Sequence, residues 1–223
     1  MTPRTKLVTA SVPRRIKQTG RAGLNRSRRT LRELRHVHRD DFVFIHINKT
    51  GGTSVRRALS LNVEHRTALG KIEQFGQREW DRRFTFAVVR NPWSKVLSHW
   101  NYRRKKDITG LGVAPLDFNN WVQRAYGLQD PLFYDKPKMF MPQSQWICDS
   151  DGRVLVDSVA RFEELEHDFS VACKSIGTSV TLPHMNASFS NTCSEMYNSE
   201  SIEIVETWFA EDIDRFSYEF PAG

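Results

Sequence analysis

The sequence predicts an α/β fold of three layers, with a central, mostly parallel sheet flanked by helices. Two observations carry this. The runs Phe42–Ile47 ("FVFIHI") and Phe84–Arg90 ("FTFAVVR") are β-branched and aromatic, too continuous for a half-exposed strand. Each ends in an unusual turn and feeds at once into a helical pattern, and strands alternating with helices build parallel sheets covered on both faces. In such sheets ligands sit beyond the carboxyl ends of the strands. The turns at 48–54 and 90–93 both lie at such ends, so they are expected to share one site.

The elements follow in order. Residues 1–40 carry 12 Lys/Arg against 2 acids, whereas the rest of the chain carries 21 against 24. The net charge of +7 therefore belongs to a basic N-terminal arm, and 41–223 is expected to be the folded domain. With few apolar residues the arm is expected to be flexible, or one loose helix over Thr30 to His36. Its readings are a solvated tail, a contact for nucleic acid or another acidic polymer, or a targeting segment.

After the first strand comes the loop, then a helix over Thr53 to Leu61. A helix and turn are expected over 71–83. At "RNPWSKVLSHW", Asn91 suits a helix cap and Pro92 the first helical position. Trp93, Val96, Leu97 and Trp100 then share one face. Residues 107–145 read as an irregular insertion on the substrate side with one helix at 117–125. "RVLVDSVARF" gives one or two short strands. "EELEHDFSVACKSIG" is a helix with Leu165, Phe169, Ala172 and Ile176 on one face, closed by Gly177. "SESIEIVETWFAEDIDRF" reads as a single last amphipathic helix, with Ile202, Val205, Trp208, Phe209 and Ile213 inward.

Three widely spaced cysteines (Cys148, Cys173, Cys193) indicate neither a zinc site nor a disulfide framework. No apolar run approaches the ~18 residues of a membrane span, and no signal-peptide core is evident. From this the chain is expected in the cytoplasm, with no membrane span.

The loop "NKTGGTS" has the physics of an anion site, in the manner of phosphate loops. Gly51 and Gly52 permit positive φ and close backbone approach. Successive N–H groups form a nest, and the following helix points its positive end at the same place. Thr50, Thr53 and Ser54 add hydroxyls, and Lys49 a charge. The order is not that of the common nucleotide loop G-x-x-x-x-G-K-[ST]. No carboxylate for Mg²⁺ stands at the end of the second strand; Arg90 does. A nucleotide whose chemistry needs no metal fits better than a nucleoside triphosphate.

"IHINKTGGTS" followed by "FAVVRNPWSKVLSHW" resembles the sulfotransferase superfamily, and more narrowly the branch that holds carbohydrate sulfotransferases and small soluble relatives. The likeness continues through "HRTA", "QSQWI", "VARFEELEHDF", "LPHMNAS" and "DIDRFSYEF", over about residues 42–220. Asn48 stands where a proline is common and Ser94 where an acid is common.

The resemblance implies a 3′-phosphoadenosine 5′-phosphosulfate (PAPS) donor and no metal. The loop Lys49–Ser54 is expected at the 5′-phosphosulfate, with Lys49 neutralising charge on the leaving oxygen. Arg90 and Ser98 are expected at the 3′-phosphate. Ser98 lies off the apolar face of its helix, and a guanidinium can clamp a phosphate with two bonds; the plain alternative for Arg90 is a salt bridge to a sheet-end carboxylate. Arg161 is implied on the donor side, or else an ion pair with Glu163 or Glu164.

His65 is the candidate general base for an acceptor hydroxyl, probed against His46 as rival, His184 as a third possibility and Glu64 as a carboxylate substitute. His46, in a buried strand, reads better as a hydrogen-bonded structural residue. Aromatic residues of 93–134 stack on a sugar or fill the core. The acceptor expected from the resemblance is a glycan. Two other function classes stand beside this one. A P-loop-type kinase or NTPase requires Mg²⁺ and a metal carboxylate. A nucleic-acid-binding module requires the arm, since the body carries −3.

Overall fold

The computed structural model describes residues 42–62, 64–114, 116–182 and 193–221. The basic arm, with the helix expected at Thr30 to His36, lies outside the described residues, as does His184.

Strands β1 (Phe42–Ile45), β2 (Phe84–Val89) and β3 (Ser158–Arg161) form a parallel sheet in the order β1-β2-β3. Ile45 pairs with Ala87, and Val89 with Arg161. Successive side chains of a strand point to opposite faces. Val43, Ile45, Ala87 and Val89 accordingly pack with Ala68, Trp80, Trp146 and Phe216. Phe44, Phe86, Val88 and Ala160 pack with Val55, Leu165, Phe169 and Ala172. Both faces of the sheet are covered, which explains why its strands read as unbroken apolar runs. The three-layer, P-loop-like α/β architecture is the one the sequence predicts.

The helices are α1 (Gly52–Ala58), α2 (Ala68–Phe75), α3 (Gln77–Asp81) and α4 (Pro92–Lys105). Next come α5 (Phe118–Val122), α6 (Pro137–Phe140), α7 (Ser144–Ile147) and α8 (Leu165–Ser175). The chain closes with α9 (Cys193–Met196), α10 (Ser199–Trp208) and α11 (Ala210–Phe216).

The α4 start is as read from the sequence: the Asn91 side chain accepts a hydrogen bond from the Ser94 N–H at 3.2 Å. Several other bounds differ. α1 ends at Ala58 rather than Leu61. The helix expected from residue 71 begins at Ala68, where Thr67 caps it, and is broken at Gly76. The 117–125 helix becomes α5 followed by one π-turn, Gln123–Gly127. "RVLVDSVARF" yields β3 and a single bridge between Val154 and Cys148.

The single last helix is corrected to two, α10 and α11, which part at Phe209 (φ −110°). The break seats Phe209 in the core and turns Asp212 inward, both fully buried. A buried carboxylate needs hydrogen-bond donors, and Asp212 finds them in the Gln143 and Ser144 N–H groups at 2.7 Å each.

A second apolar layer lies beside the sheet. Trp93, Val96, Leu97 and Trp100 of α4 meet Phe118, Trp121, Tyr126, Phe140, Val205 and Phe209. Most aromatic residues of 93–134 are thus core, the commoner fate of large apolar side chains. The three cysteines are free and buried. No described helix is long and apolar enough to cross a membrane.

Candidate active site

The first strand ends at Ile45, and the chain turns sharply over 46–51. Lys49 (φ 65°) and Gly51 (φ 81°) both take the left-handed conformation, on either side of Thr50. Such alternation curls successive N–H groups into a concave nest. A Cβ at Gly51 would stand 2.9 Å from both Phe162 and Leu165. The Thr50 side chain is buried, and its Oγ1 donates to the Ile47 carbonyl at 3.1 Å. That bond closes the loop from beneath. In this geometry the Thr50 hydroxyl is given to the loop's own backbone.

Beyond the sheet end is a cleft of about 450 Å³. The loop contributes Lys49, Gly51, Gly52, Thr53 and Ser54 to its walls. β2 contributes Arg90 from its carboxyl end, α4 contributes Ser98, and the segment between α1 and α2 contributes His65. The two sheet-end turns thus share one cavity.

Arg90 donates from Nη1 to the Lys49 carbonyl at 3.3 Å, and its guanidinium lies 4.1 Å from the Phe162 ring centre. Its Nε is buried without a hydrogen-bond partner among the described residues. Burial lowers its pKa, an effect that nearby Glu163 opposes. Glu163 itself accepts from the Asn91 N–H and the Tyr218 hydroxyl. The backbone of Arg90 is pinned by Gln143, whose side chain accepts from the Arg90 N–H and donates to the Arg90 carbonyl, both at 2.8 Å. Gln143 in turn rests on Asp212. Lys49 extends over the Tyr102 ring, 4.5 Å from its centre. Burial, then the Arg90 charge, bring its amine down to about 8.

His65 stands with Nδ1 2.8 Å from the His46 carbonyl. A carbonyl can only accept, so Nδ1 carries a proton, and in the neutral ring the lone pair falls on Nε2. The His46 ring lies 4.3 Å from that of His65, centre to centre, tilted by 34°. Burial, then His65 and Arg56, hold the His46 pKa down at about 4. Glu64 pairs with Arg66 at 3.1 Å and does not line the cleft.

Arg161 does not line the cleft either. Its guanidinium donates to the Phe216 carbonyl and lies over the Tyr218 ring, and its N–H donates to Asp168 at 2.7 Å. It bonds to neither Glu163 nor Glu164 as the sequence alternative had it.

The cleft also holds residues that the sequence reading missed. His99, Tyr102 and Arg103 line it from α4. Tyr102 falls four residues after Ser98, so helical spacing from Ser98 was a usable signal for it, whereas His99 and Arg103 follow Val96 by three and seven. Arg103 is buried and paired with Asp135 at 2.7 Å. Burial first, then Lys95, Arg103 and Lys49, keep the His99 pKa well below its ordinary value. From the 107–145 insertion come Ile108, Lys136 and Met139. Asn48 ties the loop to that insertion, donating to the Met139 carbonyl at 2.8 Å.

Chemically, the cleft offers cations at two separate points, hydroxyls, a glycine nest and imidazole rings. That set can hold a ligand with two anionic groups and take a proton beside it.

A model described as "Sulfotransferase family" matches residues 32–219. An uncharacterized protein from Archaeoglobus fulgidus is 28% identical over 103 residues, which span 46% of this chain and 74% of that relative. No solved structure matches.

Proposed function

The chain belongs to the sulfotransferase family, and on that premise we propose that it moves a sulfuryl group from PAPS to an acceptor hydroxyl of a carbohydrate. The transfer is in line, with His65 as general base. One observation carries the donor: the Arg90 guanidinium lies against the lysine-bearing turn, inside a single cleft. A donor with phosphate at both the 5′ and 3′ positions needs two cationic points within one cavity.

The residues present fit such a donor. Lys49, Arg90 and Ser98 all line the cleft, and no acid is among its lining residues. The volume of about 450 Å³ lies in the range of small-molecule sites. When bound, the donor supplies the activated sulfuryl group. Lys49 places its charge beside the leaving oxygen, where charge grows during transfer. The nest, with the Thr53 and Ser54 hydroxyls, holds the 5′ end. Arg90 and Ser98 hold the 3′-phosphate. His65 Nε2 takes the acceptor's proton while its Nδ1 proton stays on the His46 carbonyl. Thr50 serves by shaping the loop. Arg161 enters only by tethering the C-terminal segment at the end of β3.

The glycan acceptor follows from the likeness to carbohydrate sulfotransferases, and nucleic acid is expected to meet nothing but the arm. Three free, buried thiols suit a reducing compartment, which favours the cytoplasm.

Calorimetric titration with 3′-phosphoadenosine 5′-phosphate, with and without Mg²⁺, tests the reading. Binding is expected without metal. Arg90→Ala is expected to weaken it about 100-fold, as for loss of one partner of a buried charge pair. His65→Ala should keep that affinity and lose about 10²- to 10⁴-fold in turnover. Preference for ATP with Mg²⁺ over the 3′-phosphorylated nucleotide overturns the proposal.

A further inference from the structure

His46 is left without a part in the reaction described above, yet its surroundings are unusual. It follows β1 directly and its side chain is buried, with 9% exposure. Phe44 stacks on one side of its ring at 5.7 Å, and the His65 ring stands 4.3 Å away. The donor loop lies against it as well. A Cβ at Gly52 would sit 2.1 Å from His46 Cδ2 and 2.5 Å from Nε2. Residue 52 therefore has to be glycine if the His46 ring is to occupy this place. Its φ is ordinary, so the requirement is one of space and not of backbone conformation. The ring bridges the first turn of α1 and the candidate base.

We infer that His46 is the positioning residue of the candidate base, a neutral ring that fills the gap between Gly52 and His65 and so sets the base against the donor loop. The inference rests on the reading of His65 as base. Two contacts act together. The His46 carbonyl fixes the proton of His65 on Nδ1, and the His46 ring fixes the plane in which Nε2 points. A base misplaced by about 1 Å loses about 100-fold in rate, so a packed ring beneath it has a use.

His46 also does not compete for the proton. It is deeply buried among Arg56 of α1, the Lys49 loop and His65, and a second cation there would be repelled. His65 is flanked in sequence by the Glu64–Arg66 pair, and its ring stands 6.1 Å from, and at 74° to, that of Trp146, over which Lys138 of α6 extends. The His46 ring is nearer, at 4.3 Å, and closer to parallel, at 34°.

The test compares His46→Ala with His46→Phe. In the alanine variant kcat is expected to fall about 10- to 100-fold, while affinity for 3′-phosphoadenosine 5′-phosphate stays within about threefold, the pattern of a change confined to the reacting geometry. His46→Phe keeps a ring of similar size and is expected to recover most of the rate. Nitrogen-15 NMR of the His65 ring gives a readout that needs no turnover. The wild type should show one ordered ring environment and His46→Ala exchange-broadened signals, with the proton kept on Nδ1 in both because the backbone carbonyl of residue 46 remains.

Wild-type kcat in His46→Ala, equal loss in both variants, or unbroadened His65 ring signals in His46→Ala overturns the inference. If His46→Ala does not fold, His46→Phe decides: a rate near wild type with unbroadened His65 ring signals supports the platform, and a rate as low as that of His65→Ala sinks it. Should the His65 signals broaden in His46→Ala while His65→Ala turns over normally, the positioning stands and the assignment of His65 as base falls.

Discussion

Two concavities of opposite character occur among the described residues. The cleft at the sheet end measures about 450 Å³ and is lined by Lys49, Arg90, Arg103, Lys136 and three histidines, with no acid. A groove of about 720 Å³ lies between α10 and the segments around Tyr126, Tyr134 and Met141, and it is lined by Glu200 and Glu203, with no base. The groove is the larger, but size does not mark the chemistry. Its charged residues are exposed, on the outer side of an amphipathic helix, where a carboxylate is normally hydrated. In the cleft, Lys49 and Arg90 are half-buried, and burial lowers the pKa of both. Keeping cations there costs stability, and a ligand that neutralises them recovers the cost.

The largest expected effect breaks the tie between the two. Lys49→Ala should lower kcat/KM for the donor about 10²- to 10³-fold, the loss seen when a group facing developing charge is removed. Glu203→Gln, in the groove, should leave kcat/KM within about twofold, as for a surface change. Initial rates with labelled donor measure both. Equal losses would show that the groove takes part in the reaction.

A smaller effect sharpens the contrast through pH. The Lys49 amine is held at about 8 by burial and by Arg90. Its cationic form therefore disappears as pH rises through about 8, and affinity for 3′-phosphoadenosine 5′-phosphate should decline there by up to about tenfold per pH unit. Stability has the opposite sign. Lys49 and Lys95 both lose their proton near 8 when folded and near 10.5 when unfolded. The unfolded chain binds more protons between those values, so stability should rise with pH from about 8 toward 10.5. Calorimetry and urea titration over that range check the pair of slopes. In Lys49→Met the alkaline decline in affinity should vanish.

Much of this was legible in the sequence because it is written locally. Strands β1 and β2 announce themselves in β-branched runs, the glycine loop in its composition, and α4 in Asn91-Pro92. What was not legible depends on distant partners. The split at Phe209 makes sense only once Asp212 is seen to hold Gln143, 69 residues away, which then pins the backbone of Arg90. Lys136 enters the cleft because Asn48 bonds across to Met139, 91 residues on. Arg161 was expected near the donor by likeness, and the Phe216 carbonyl, 55 residues on, takes its guanidinium instead. His99 and Arg103 are a different matter. They stand three and seven residues after Val96, on the helix face whose apolar side chains fill the core, and nothing local marks two polar residues there as facing a cleft.

The smallest expected effect lies inside the loop itself, between two hydroxyls only four residues apart. Thr50 is buried and donates to the Ile47 carbonyl, whereas Ser54 lines the cleft. Thr50→Val should cost about 1 kcal/mol of folding stability, the net worth of one hydrogen bond, and leave affinity for 3′-phosphoadenosine 5′-phosphate within about twofold. Ser54→Ala should do the reverse, with stability unchanged and affinity reduced by about three- to tenfold, the same bond energy now spent on the ligand. Urea denaturation and calorimetry on the two variants separate the cases. If Thr50→Val weakens binding more than Ser54→Ala, its hydroxyl turns toward the ligand during binding. The loop would then rearrange, and the cleft would not be preformed. If both changes follow the geometry, the loop's left-handed residues have already assigned one hydroxyl to the fold and the other to the ligand.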